Sequence, residues 1–134
     1  AVRALEAWRP FELDKWASAE AQAASLADDI AYLSHDVDDG LRAGLLTIDT
    51  LAEAPFAGPI AAAVRLRAPD AGDARAIYAV TRRMITEMIA DVVQESRARL
   101  AALAPVSADD IRDAGAAAVA FSPRFNSDLA ALKT

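Results

Sequence analysis

Between Asp73 and Leu103 the residues Ile77, Val80, Met84, Ile85, Met88, Ile89, Val92 and Val93 recur at spacings of three and four. That is the period of a single long α-helix with a wide apolar stripe. Such a stripe has to be covered, and helices of similar pattern lie on either side of it. The ends of the segment are marked. Asp73 meets the positive end of the helix dipole, Arg97 and Arg99 sit near its close, and Pro105 ends it. Before it, Ala68-Pro69-Asp70-Ala71-Gly72 is the clearest turn cluster in the chain.

No stretch alternates apolar and polar residues in the manner of a strand. Residues 1–8 are helical in pattern and close at Arg9-Pro10, because the residue before proline is pushed out of the α region. Phe11 to Ala17 reads as a connector anchored by Leu13 and Trp16. Ser18 is a good N-cap, with Glu20 in the first turn of a helix running to about Asp38. Gly40 and Gly44 then interrupt the pattern. A short helix is expected around residues 49–53, and another from Pro59 to Arg67. Ser107 and Asp110 form a capping box for a further short helix, and Pro123–Lys133 makes the last. The expectation is all-α: a single helical domain over residues 1–134, a compact array of about six helices around the 73–103 spine.

Composition narrows function. Lys and Arg number 14 against 20 Asp and Glu, a net charge of −6, which argues against nucleic acid as the main partner. With no cysteine, disulfide scaffolds, zinc–thiolate sites and thiol nucleophiles are excluded. No apolar run approaches the ~20 residues of a membrane span, and no signal segment opens the chain. These features lead us to expect a cytoplasmic protein with no membrane partner. The start at Ala1, already helical and without Met, reads as the middle of a longer chain, although a processed N-terminus would look similar.

One segment carries unusual chemistry. Asp28, Tyr32 and Asp36 stand at i, i+4 and i+8, stacked along one face of a helix. Two carboxylates and a phenol in a row can grip a metal, or a ribose and its hydroxyls, and carboxylate oxygens suit Mg²⁺ or Mn²⁺. Acids at this spacing also describe an ordinary solvated face, with Tyr32 a half-buried packing residue. Asp28, Asp29, Asp36, Asp38 and Asp39 crowd together, however, with Arg42 in partial relief. A calcium loop starting at Asp36 fails on register: Gly40 falls one place early, and the twelfth position is Thr47. His35, the lone histidine, completes no Ser–His–Asp arrangement. No glycine-rich phosphate loop is present. Arg82-Arg83 reads as a surface or ion-pairing dipeptide.

The strings Glu20-Ala21-Gln22, Ala27-Asp28-Asp29-Ile30-Ala31-Tyr32 and His35-Asp36-Val37-Asp38-Asp39-Gly40-Leu41 resemble the bacterial dGTPase-like proteins, deoxynucleotide triphosphohydrolases of the HD superfamily. The resemblance is dense from Ser18 to Gly44. It continues more loosely through 81–85 and 89–93 and ends near 119–122. It implies hydrolysis of a dNTP to the deoxynucleoside and inorganic triphosphate, by water attack at the α-phosphorus. It further implies a metal held by a histidine, a His-Asp dipeptide and a distant aspartate. On this chain the distant aspartate falls on Asp28, the tyrosine that packs by the sugar on Tyr32, and the acid that hydrogen-bonds the 3′-hydroxyl on Asp36. Oligomers are common in such families, so a homo-oligomer is expected.

The chain departs from the pattern in one respect. The family's His-Asp pair precedes the ADDIAY-like helix, so His35-Asp36 is not that pair, and no histidine stands before Ser18. One carboxylate cannot by itself hold a divalent ion tightly. The chain therefore reads as the C-terminal portion of a longer HD-domain enzyme, supplying the last ligand, Asp28, or else as a degenerate relative that has lost its catalytic half. The alternative is a non-catalytic helical module for oligomerisation or regulation, using the 77–93 stripe.

Overall fold

The computed structural model describes Glu12, residues 14–69 and residues 72–132. The expected helix over 1–8, the anchor Leu13, and Asp70, Ala71 and Lys133 lie outside the described residues. Among those described there are six helices and no strand: α1 (Ala19–Arg42), α2 (Ile48–Leu51), α3 (Ala57–Arg67), α4 (Asp73–Leu103), α5 (Ala108–Arg112) and α6 (Pro123–Leu132). The fold is all-α. None of these helices is long and apolar enough to cross a membrane.

α4 is the spine, with α1 and α3 packed along it. From α1 come Ile30, Leu33, Val37 and Leu41, and from α4 come Ile77, Val80, Met84 and Met88, all buried. Phe56 and Ile60 join them from the α3 side, and Phe121 and Leu129 from the α6 side. Phe56, Phe121 and Phe125 form a ring cluster in which Phe125 lies 4.7 Å from Phe56 and 5.4 Å from Phe121. The stripe foreseen on α4 divides into three parts. Ile77, Val80, Met84 and Met88 are core, Ile85 and Val92 are partly covered, and Ile89 and Val93 remain exposed.

Local chemistry accounts for the helix ends. Ser18 caps α1, and the Ser107–Asp110 box caps α5 as its spacing foretold. Gly40 does not break α1, which continues to Arg42. A Cβ at Gly40 would stand 2.9 Å from Leu46 Cδ1, so the glycine lets the returning chain pack closely on the helix. Gly44, at φ +72°, makes the actual stop. Leu45 N–H donates to Gly40 O at 2.9 Å and Gly44 N–H to Leu41 O at 3.2 Å, the pair of bonds of a Schellman termination.

α3 begins at Ala57, two residues before Pro59, and α2 begins at Ile48, one residue earlier than its pattern implied. A proline in the first turn of α3 costs nothing, because the N–H it lacks has no partner inside the helix there. Trp16 is half exposed. Its backbone N–H, bonded to Arg112 O at 2.9 Å, ties the connector to α5 in place of a buried ring. Glu12 adds to that tie, pairing with Lys15 at 3.0 Å and Arg112 at 2.8 Å.

Candidate functional site

Because Ile30, Leu33, Val37 and Leu41 face α4, the opposite side of α1 faces out. Asp28, Tyr32 and Asp36 all lie there, and Tyr32 is 71% exposed. The structure thus brings the three residues singled out by spacing onto one outward surface of a single rigid helix. Among the described residues, no hydrogen bond or ion pair to another side chain occupies either carboxylate of this row. Small residues, Ala24, Ser25 and Ala31, flank it and keep the surface low, and His35 is exposed beside it.

The acidic crowding is relieved at its C-terminal end. Arg42 pairs with Asp38 one turn away, and both lie to the side of the row. This pairing, with smaller help from the positive field of Arg42, from His35 and from Thr81, holds the Asp38 carboxyl below the usual aspartate range against the opposing effect of burial. Asp38 is therefore engaged within the fold, and Asp28 and Asp36 are left available to other groups.

Among the described residues, no group of three or more His, Cys, Asp or Glu side chains is placed to hold a metal ion. Asp28 is free to give one oxygen ligand, but a cation the size of Mg²⁺ needs several. The described residues alone do not make a metal site.

A groove of about 690 Å³ lies between α3, α4 and the start of α6, lined by Phe56, Ile60, Val64, Arg83, Asp91 and Phe125 among others. None of Asp28, Tyr32 or Asp36 borders it. Arg83 there is paired with Glu87 at 2.7 Å, in keeping with an ion-pairing dipeptide at 82–83.

Gln22 was legible only as part of a string, and its position gives it a structural task. It is buried on the inward face of α1, where an apolar residue would continue the core stripe. Its Oε1 accepts from Ala118 N at 2.9 Å and Val119 N at 3.0 Å, and its Nε2 donates to Ala17 O at 2.7 Å. From α4, Ser96 accepts from Ala120 N, Arg99 donates to Ala117 O, and Asp91 accepts from Ser122. Side chains of α1 and α4 thus hold the segment 117–122 by its backbone, and it links α1 to the spine.

An all-α unit with this outward row defines a class of helical segment, and comparison with known proteins narrows it. No family model matches the chain. It is 48% identical over 133 residues to a deoxyguanosinetriphosphate triphosphohydrolase-like protein of Caulobacter sp. strain K31, an alignment covering 99% of this chain and 34% of that protein. Proteins of the same name from Caulobacter vibrioides and Brucella anthropi are 53% and 48% identical, over 90% and 92% of this chain and 31% of each relative. The chain is a homologue of the deoxyguanosinetriphosphate triphosphohydrolase-like proteins. It spans about a third of the length of these relatives.

Proposed function

We propose that this chain is part of a metal-dependent deoxynucleoside triphosphate triphosphohydrolase, the C-terminal portion of its HD-domain fold, and that α1 is its contribution to the active site. Asp28 supplies one oxygen ligand to Mg²⁺ or Mn²⁺, and the other ligands come from parts of the full protein outside this chain. Tyr32 presents the flat face against which deoxyribose packs, and Asp36 accepts a hydrogen bond from its 3′-hydroxyl. The products are the deoxynucleoside and inorganic triphosphate. A cytoplasmic, homo-oligomeric enzyme acting on the free dNTP pool is the setting this implies.

The observation that carries the reading is the outward alignment of Asp28, Tyr32 and Asp36 on α1, opposite the core stripe. In a self-contained helical unit, an exposed tyrosine between two unpaired aspartates serves no packing purpose. It makes sense as a surface completed by something else. Identities of 48–53% to proteins named for dGTP triphosphohydrolysis support the chemistry chosen. The test is to incubate the full-length protein with each dNTP and Mg²⁺ or Mn²⁺ and to follow inorganic triphosphate. Release that stops on chelation supports the reading. Release of pyrophosphate or monophosphate in its place contradicts it.

A second reading rests on α4, where Tyr78, Ile89 and Val93 are exposed on the helix whose Ile77, Val80, Met84 and Met88 face the core. On that reading the chain is an oligomerisation or regulatory module without catalysis. A full-length protein that assembles, binds neither metal nor dNTP and hydrolyses nothing would favour it.

A further inference from the structure

The core contact between α1 and α4 is made of Ile30, Leu33, Val37, Leu41 and their apolar partners, and apolar contact has little directional preference. Close packing limits how far α1 can shift on that stripe, and directional polar contacts add a finer constraint on its rotation and register. Hydrogen bonds weaken steeply with misalignment. Along the inward face of α1 the buried groups that make them to a distant segment are concentrated at Gln22. Ser34, also buried, turns its hydroxyl back to Ile30 O of its own helix at 2.6 Å and so fixes nothing outside it.

We propose that Gln22 is a positioning residue. Its amide, bonded at both ends to Ala17, Ala118 and Val119, fixes the rotation and axial register of α1, and with them the placement of the Asp28–Tyr32–Asp36 row. Asp28 lies six residues further along the same helix, about 9 Å by the rise of ~1.5 Å per residue. Displacement at Gln22 is carried to the row with little loss. The segment 117–122 is the fixed reference, because Ser96, Arg99 and Asp91 tether it to the spine independently of α1. The catalytic part of this inference rests on the function proposed above; the structural part stands without it.

Two readouts on the full-length protein test it. Nitroxide labels at Ser25→Cys on α1 and Arg97→Cys on α4, both exposed positions, report the placement of α1 without reference to activity. Gln22→Met, close to Gln in size but without its hydrogen bonds, should shift or broaden the distance distribution. Ser96→Ala, which removes a bond to the same segment from the α4 side, should leave it as in the wild type. An unchanged distribution in Gln22→Met, or the same shift in Ser96→Ala, overturns the assignment. In the unlabelled protein, kcat/KM for dNTP hydrolysis should fall ~10-fold or more in Gln22→Met, since a misplacement of about 1 Å can cost ~10²-fold. It should change little in Ser96→Ala even where the two melt alike. Equal losses in the two variants would reduce Gln22 to a stability element.

Should Gln22→Met fail to fold, Gln22→Glu keeps the length and the accepting oxygen and loses the donor to Ala17. The ionised second oxygen would face Ala17 O, acceptor against acceptor, so a shift of the same kind is expected, and wild-type placement and turnover in it would overturn the proposal. A wild-type protein that hydrolyses no dNTP contradicts the reading of the row, while the label distances still decide the case of Gln22.

Discussion

Asp91 and Ser122, 31 residues apart, are joined by two hydrogen bonds of 2.8 Å: one carboxylate oxygen takes the Ser122 backbone N–H and the other its hydroxyl. The Ser122 hydroxyl oxygen in turn accepts from Phe125 N at 3.2 Å, capping α6. One acid on the spine therefore sets where the last helix begins. Hydrogen bonds to a charged group contribute about 1.5–3 kcal/mol each. Asp91→Ala should destabilise the chain by roughly 2–4 kcal/mol, less than the sum because water replaces part of the loss at this half-buried site. Thermal unfolding checks it, and a melting temperature within a degree of the wild type would deny the link its importance.

Two helical glycines should respond differently to alanine. At Gly58 a Cβ would stand 2.4 Å from the carbonyl oxygen of Ala52, a backbone atom that cannot swing away, and α3 would have to move off α2. Gly58→Ala should cost about 1–3 kcal/mol, the usual range for overpacking. At Gly40 the obstacle is the end of the Leu46 side chain, 2.9 Å away and able to change rotamer. Against that stands a helix-propensity gain approaching ~1 kcal/mol, so Gly40→Ala should fall within about 1 kcal/mol of the wild type. Denaturant titration of the two variants side by side decides between these outcomes.

Several features of this fold are legible in the sequence because they are local. The bounds of α4 follow from Asp73 at its start and Pro105 just past its end, and the α5 cap from Ser107 and Asp110, because each signal lies within a turn of what it controls. Gly40 misleads for the same reason. Its intrinsic preference points to a helix end, but the close approach of Leu46, a tertiary contact, keeps it helical. Periodicity marks Ile89 and Val93 as apolar face without saying whether anything covers them. The row on α1 is readable because i, i+4 spacing alone places three side chains on one face. The bonds of Gln22 to residues 96 and 97 positions away leave no trace in local pattern.

Acid should weaken the fold through carboxylates held ionised by it. Hydrogen bonds from Val106 N, Ser107 N and the Ser107 hydroxyl lower the Asp110 pKa, those from its own backbone N–H and Ser18 lower Glu20, and the pair with Arg42 lowers Asp38. A folded pKa below the unfolded value, about 3.9 for Asp and 4.3 for Glu, means stability that is fully present above that value. It is lost as pH falls through the folded pKa. Stability should accordingly be flat in these groups above about pH 5 and decline below about pH 4. Asp110→Asn should shallow that decline. An unchanged acid limb in the variant would show that the cap does not contribute to it.

The exposed row should separate function from stability. Tyr32→Ala removes a ring that is mostly in water, so unfolding should shift by less than about 0.5 kcal/mol. On the proposed function, the same change in the full-length protein should raise KM for dNTPs and relax discrimination against ribonucleotides. Isothermal titration with a dNTP and its ribonucleotide counterpart would read both effects, and unchanged selectivity would take the sugar-reading role away from Tyr32.

The most direct test of the account is triphosphate release by the full-length protein and its Asp28→Ala variant, at matched thermal stability and saturating Mn²⁺. On the proposed function the variant folds like the wild type and loses turnover entirely, because Asp28 is exposed, has no side-chain partner among the described residues, and is the residue proposed to give the metal an oxygen ligand. Near-normal turnover in Asp28→Ala would contradict it and would reduce the row on α1 to a solvated face.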